Sequence, residues 1–289
     1  MCAKNGMAGR LDGRPALPAP AGWTGQHFSL AFRLSVGFLT IMALGVAAEA
    51  AWAFGTGRPG PGVLLAAGAT VIGHVAGLGI FVWRAPRRSG RTGRLEPGPV
   101  GTTGVRFAYS AWAYYWLTAF LVFTELGALL VILTAAASAT VVGWLLVVAL
   151  AAAVVAIGWF LVTVLRLAPG ELTLSPAGVY HRSLTFTHFA PWRDIFDVTS
   201  AWVGTPVIVV KAYPSEETRI RRYTSRFGTR EMRFMPFMAV RAYWLAADPI
   251  IVYHALSFYQ ARPDLRPELA TPGALQRIDN GRAVARQAP

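Results

Sequence analysis

Four apolar stretches, at 34–54, 63–83, 114–134 and 142–165, constrain this chain more than any other feature. Each holds about 20 residues, enough helix to rise about 30 Å, the thickness of a bilayer's hydrocarbon core. Composition agrees, since 54% of the 289 residues are hydrophobic and 14% charged, against roughly 25% charged in ordinary soluble domains. The chain therefore reads as a multi-pass integral membrane protein, with the lipid bilayer as its first partner, and not as a soluble enzyme.

Basic residues orient the spans. Residues 1–33 carry Lys4, Arg10, Arg14 and Arg33, and the connection 84–113 carries Arg84, Arg87, Arg88, Arg91, Arg94 and Arg106. The first and third connections carry only Arg58. The positive-inside rule thus predicts cytoplasmic N and C termini in the cell membrane. Ala48-Glu49-Ala50 resembles a signal-peptidase site, but the long leader before it favours an uncleaved first span. Residues 1–33 are expected to be a tail, Gly/Pro/Ala-rich and flexible over 1–26.

The net charge of +13 comes from 27 bases and 14 acids, and 25 of the bases are Arg. That bias fits GC-rich coding better than phosphate binding, so no nucleic-acid partner is expected. Cys2 is the only cysteine, which excludes an intramolecular disulfide and a Cys-based metal cage.

Glu49, His74 and Glu125 fall inside the spans. An ionisable group in hydrocarbon is costly unless neutral or paired, so each is a site hypothesis. His74 and Glu125 lie near mid-depth of neighbouring spans and form a candidate intramembrane polar pair able to carry a proton or hold a cation. The alternative is helix packing through hydrogen bonds. Gly73-x-x-x-Gly77 permits a close helix neighbour, within the chain or in an oligomer.

Other motifs fail. Gly55-Thr56-Gly57-Arg58-Pro59-Gly60 matches a dinucleotide fingerprint as text but joins two spans, without the strand that the fingerprint requires. Walker A, HExxH and GxSxG patterns do not occur. His27, His74, His181, His188 and His254 lack ligand spacing, so neither catalysis nor a metal or cofactor is expected.

After Leu165 the composition becomes that of a soluble domain, over 168–270, followed by a tail at 271–289. Strands are expected at 171–174, 179–183, 184–187, 195–203 and 207–213, with weaker ones at 218–223 and 238–244. Asp248 and Pro249 then open a helix whose apolar face is Ile250, Ile251, His254, Ala255, Phe258 and Tyr259, and Pro263 ends it. The fold class is an α-helical transmembrane region of four spans plus an all-β sandwich or barrel capped by one C-terminal helix.

Glu171-Leu172-Thr173-Leu174-Ser175-Pro176-Ala177-Gly178-Val179-Tyr180, followed by Ala190-Pro191-Trp192-Arg193-Asp194-Ile195, resembles the bacterial pleckstrin-homology (PH-like) domain family. Asp248-Pro249, Phe258-Tyr259 and the run from Pro263 to Leu269 are similar to the lid helix and tail of actinobacterial PH-domain membrane proteins. The match covers about 171–270 and implies a bent sandwich of two sheets closed by a helix. Trp192 is expected to be structural, its indole N–H requiring a partner if buried. Phosphoinositide-binding relatives use basic residues in the first hairpin, where this chain offers only Arg182, so that ligand is not expected.

Arg219, Arg221, Arg222, Arg226, Arg230 and Arg233 are opposed within their window only by Glu231. They are candidate contacts for anionic inner-leaflet lipid, where each base near the surface gains about 1 kcal/mol; a solvated basic loop is the alternative. The expected function is non-enzymatic: a membrane-anchored PH-like module that binds a protein partner or the inner leaflet. A small transporter using His74 and Glu125 is the second possibility.

Overall fold

The computed structural model describes residues 17–24, 28–84, 93–98, 101–224 and 230–284. The chain divides into two compact units, one of 27–84 and 111–168, the other of 1–26, 85–110 and 169–289.

The first unit is four helices: α1 (Leu30–Gly55), α2 (Pro59–Arg84), α3 (Ala111–Ala137) and α4 (Val141–Leu167). All four are long and apolar enough to cross a membrane. Each extends one to four residues past the apolar stretch that marked it. Ser29 Oγ accepts the Phe32 N–H at 3.1 Å and Thr140 Oγ1 accepts the Gly143 N–H at 3.0 Å, so both side chains act as N-caps. Leu34, Phe38, Leu64, Leu133, Val148 and Val155 are exposed on the helix surfaces. So much apolar surface is stable only in lipid or against another protein.

Among the described residues the second unit holds nine strands in two antiparallel sheets. The larger runs β1 (Arg94–Pro97), β2 (Thr103–Ala108), β3 (Glu171–Ser175), β4 (Gly178–Arg182), β5 (Phe186–Pro191) and β8 (Arg219–Arg222), in that spatial order. The smaller is β6 (Ile195–Trp202), β7 (Pro206–Ala212) and β9 (Met238–Arg241). Val105, Phe107, Leu172, Leu174, Val179 and Ala190 line the buried face of the larger sheet, and alternation sends Arg106, Thr173 and Arg182 to the other face.

Helix α5 (Pro249–Ala261) follows, capped by Asp248, whose carboxylate accepts the Ile250 N–H at 2.8 Å. Its buried surface is wider than the expected stripe: Val252 and Leu256 are fully buried, whereas Ile250 and Ile251 are only partly so. Trp192 is buried and donates its indole N–H to the Ser175 carbonyl at 2.7 Å, so it holds the first hairpin.

Three boundaries differ from the sequence reading. The connection 84–113 is more than a basic loop, because β1 and β2 lie in it and β2 pairs with β3. Its short Val105 and Phe107 alternation is masked by neighbouring arginines. The tail 271–289 contains α6 (Pro272–Asp279), which buries Ala274 and Ile278, one turn apart. Within the supposedly flexible tail, residues 17–24 lie against β6: Gly22 N–H donates to Ser200 Oγ at 3.0 Å and the Trp23 indole N–H to the Ala201 carbonyl at 3.0 Å. A stretch rich in Pro and Gly still orders when a few anchored side chains offset its small loss of entropy.

Candidate functional site

The two membrane residues first suspected do not meet. His74 on α2 bonds to the Thr70 carbonyl through Nδ1 at 2.8 Å and to the Tyr115 hydroxyl of α3 through Nε2 at 2.9 Å. The carbonyl can only accept, so Nδ1 carries the proton and Nε2 accepts from Tyr115. Trp116 and Phe123 present ring edges or faces to the imidazole at centroid distances of 5.5 and 4.8 Å. Glu125 faces α4 instead, its Oε1 lying 3.1 Å from where a Cβ on Gly158 would stand. No ion pair joins His74 to Glu125 among the described residues. Register explains this: Gly77 of α2 lies against Trp116, which puts Glu125 about 9 Å beyond His74 along the helix axes.

The Gly73 and Gly77 pair faces two different helices. A Cβ on Gly73 would touch Ala43 of α1 at 3.9 Å, and one on Gly77 would collide with the Trp116 ring at 2.3 Å. Both close approaches are thus filled within the chain. Glu49 is exposed on α1.

The outer face of the larger sheet collects charge across its strands. Register aligns Glu171, Arg182, Thr187 and Arg221 in one row, and Arg94, Arg106, Thr173, Tyr180, Phe189 and Arg219 in the next. Over β2 to β4 the arginines are paired with acids: Arg106 makes close ion pairs with Glu96 and Glu171, and Arg182 Nη2 lies 3.2 Å from Glu171 Oε1. These side chains line a shallow groove of about 270 Å³. At β8 the pairing stops. Arg219, Arg221 and Arg222 are exposed and have no ion-pair partner among the described residues.

Among the described residues β8 is also a sheet edge. Arginines on an edge strand discourage pairing with another chain while keeping the edge hydrated. Arg221 lies over the Tyr223 ring at 5.0 Å, and Arg222 points to the opposite face from Arg219 and Arg221. Arg233 is exposed on a short 3-10 helix at Arg230–Phe234. Arg226 and the side chain of Arg230 lie outside the described residues. Among the described arginines, Arg219 and Arg221 share one face of β8 and Arg222 lies on the other.

A buried polar set lies inward of this face. His181 and His188 are cross-strand neighbours in the core, and Tyr109 is hydrogen-bonded to His181 Nε2 at 2.6 Å. Burial pushes His181 down to about 3, with His188 nearby adding to the shift, and pushes His188 down to about 4. Both rings of this pair are neutral at physiological pH. Glu231 is buried as well, bonded to the Ser183 hydroxyl and 3.7 Å from Arg241 Nε. Burial raises it to about 7, against the opposing pull of Ser183 and Arg241. Among the described residues no cluster of His, Cys, Asp and Glu is placed to hold a metal.

The residues behind the resemblance have structural tasks. Arg266 donates to the Tyr259 and Gln260 carbonyls at 2.9 Å, closing the C-terminus of α5, and stacks over Trp192 at 5.1 Å. Glu268 accepts from the Tyr259 hydroxyl at 2.7 Å and receives a two-pronged contact from Arg277 of α6. The strap at 17–24 and the ion-pair row are the features that sequence reasoning missed. The only signals for them were Gly22-Trp23 and the isolated acids Glu96 and Glu171.

No family model, curated protein or solved structure matches this chain. The fold itself defines a class: a multi-pass helical membrane protein that carries a folded, β-sheet-rich domain with a C-terminal helix.

Proposed function

We propose that this chain is a non-enzymatic protein of the cell membrane that presents a PH-like domain at the cytoplasmic face, where its β8 edge docks on anionic inner-leaflet lipid. The observation that carries this is the broken charge row: acids neutralise the arginines of β2 and β4, whereas Arg219, Arg221 and Arg222 are left uncompensated and exposed. Uncompensated arginines beside an anionic leaflet each gain about 1 kcal/mol, and the gain is screened by salt. The basic connection 84–113 and the basic N-terminal segment support a cytoplasmic location through the positive-inside rule. The order of strands and the following helix support the PH-like assignment.

The test uses the whole chain in nanodiscs. With Cys2→Ser, a fluorophore on Ile220→Cys reports proximity to a quencher carried on the lipid headgroups. Quenching is expected in discs containing phosphatidylserine at low salt, and should fall with high salt or with Arg219→Gln, Arg221→Gln and Arg222→Gln together. Equal quenching in neutral and anionic discs overturns the proposal. A reporter fused after residue 289 checks the cytoplasmic side.

A further inference from the structure

We propose that the surface of β6 and α5 is a peptide-recognition site for a Pro-x-x-x-Gly-Trp segment whose last three residues turn as a 3-10 helix, and that the chain's own residues 18–23 fill it in cis. Four contacts define the specificity. The Pro18 carbonyl accepts from His254 Nε2 at 2.8 Å, and His254 is itself a buried side chain of α5. Gly22 donates its N–H to Ser200 Oγ at 3.0 Å. A Cβ at position 22 would stand 2.1 Å from the Ser200 carbonyl oxygen, so the site accepts only glycine there. The Trp23 indole N–H is shared between the Ala201 carbonyl at 3.0 Å and the Val207 carbonyl at 3.4 Å, and its ring leans on Tyr253 at 6.1 Å.

The ligand is also suited to binding as a short peptide. Pro20 is buried at φ −57° and ψ 145°, a geometry the proline ring favours before binding, so little entropy is lost on docking. Its contacts reach residues more than 170 positions away in sequence. Nothing in the strap continues a sheet or helix of the domain, so it is held as a ligand is held, by pockets and hydrogen bonds. The strap belongs to the same chain as the site, which gives it an effective concentration on the order of mM. A second segment carrying Gly-Trp, from a partner or another copy, gains the site only above that threshold. The site is thus closed to weak competitors, and this holds whether or not β8 meets lipid.

The experiment uses the full chain in nanodiscs with Trp23→Ala, which frees the site, and a fluorescent synthetic peptide of residues 17–24. Saturable binding is expected, at least tenfold tighter than to the unaltered chain, whose strap competes. The same peptide with Gly22→Val should bind at least tenfold more weakly, and Tyr253→Ala added to the Trp23→Ala chain should weaken the native peptide similarly. Because the Val peptide is compared on one protein, its result does not depend on how a variant folds. Should Trp23→Ala prevent folding, a protease site at 25–27 in the otherwise unaltered chain converts the strap into a free ligand. Retention of the cut segment, lost on dilution, supports the proposal. Equal binding of the native and Val peptides, no binding to the Trp23→Ala chain when it is folded, or immediate loss of the cut segment at every concentration overturns it.

Discussion

The two units solve the problem of buried polar groups in opposite ways. In the helical unit the threonines bond within one turn, with Thr40, Thr70, Thr118, Thr124 and Thr163 returning their hydroxyls to the carbonyl four residues earlier, while His74 reaches across to Tyr115 of α3. In the sheet unit the partners are distant, as with Ser183 and Glu231, Arg106 and Glu171, or Trp192 and Ser175. The lesson is physical. A helix in lipid must be satisfied segment by segment, because no water completes it before assembly. A soluble domain can leave its satisfaction to the tertiary fold. Polar mutations should therefore be costly and long-ranged in the sheet unit, and mild and local in the helices.

The largest effect is expected at Glu171. Glu171→Gln leaves Arg182 without an acid partner and Arg106 with Glu96 alone, on the two strands that flank β3. Both arginines are partly exposed, so the loss should be about 2–3 kcal/mol, below the roughly 3–5 kcal/mol of a fully buried pair. Faster hydrogen exchange at the amides of β2 to β4 measures it, and unchanged exchange would remove the ion-pair row from the account.

His188 comes next and has the opposite sign. Neither ring nitrogen has a hydrogen-bond partner. His188→Leu should therefore raise stability at pH 7 by about 1 kcal/mol or more, the cost of an unmet buried polar group.

His188 and His181 also set the response to acid. Their folded pKa values, about 4 and about 3, lie below the ordinary 6.5, so the unfolded chain binds more protons as pH falls. Stability present above pH 6.5 should drop toward pH 4, and His188→Leu should make that drop shallower. Glu231 works against them, because its raised value makes the folded state hold a proton between about 4.5 and about 7. Glu231→Gln should steepen the acid loss across that window. Denaturation midpoints between pH 4 and 8 test both variants, and a flat profile in the unaltered chain would contradict the buried histidines.

A smaller change is expected at Trp192. Trp192→Phe keeps most of the packing but removes the indole hydrogen bond to the Ser175 carbonyl, for a loss of about 1 kcal/mol. The smallest lies in the membrane. His74→Leu removes the interhelical bond to Tyr115 and should cost on the order of 0.6 kcal/mol in micelle unfolding. A collapse of the helical unit on that change would erase the contrast between the two regions.

Much of this architecture was legible in advance. The helices declared themselves through length and hydropathy, and β3 to β7 through short segments of strand character and the turn at 175–178. Asp248 and Pro249 marked the start of α5 because capping is a local event. Less could be read of the candidate site. Cross-strand register places Arg221 in the row of Arg182 and Glu171, and that register depends on pairing between segments far apart in the chain. His74 and Glu125 were grouped by depth alone, and the facing of α2 on α3 separated them.

What the sequence by itself determined is whatever depends on neighbours within a few residues: four apolar helices, the period of the strands, the caps and the excess of arginine. The tertiary structure decided which charges are paired, which edge keeps its arginines bare, and that residues 17–24, 94–97 and 103–108 join a domain they are far from in sequence. The reason is that hydropathy acts through solvent on each segment separately, whereas ion pairs, strand register and the Gly22 contact act only between surfaces that folding has already brought to within a few ångströms.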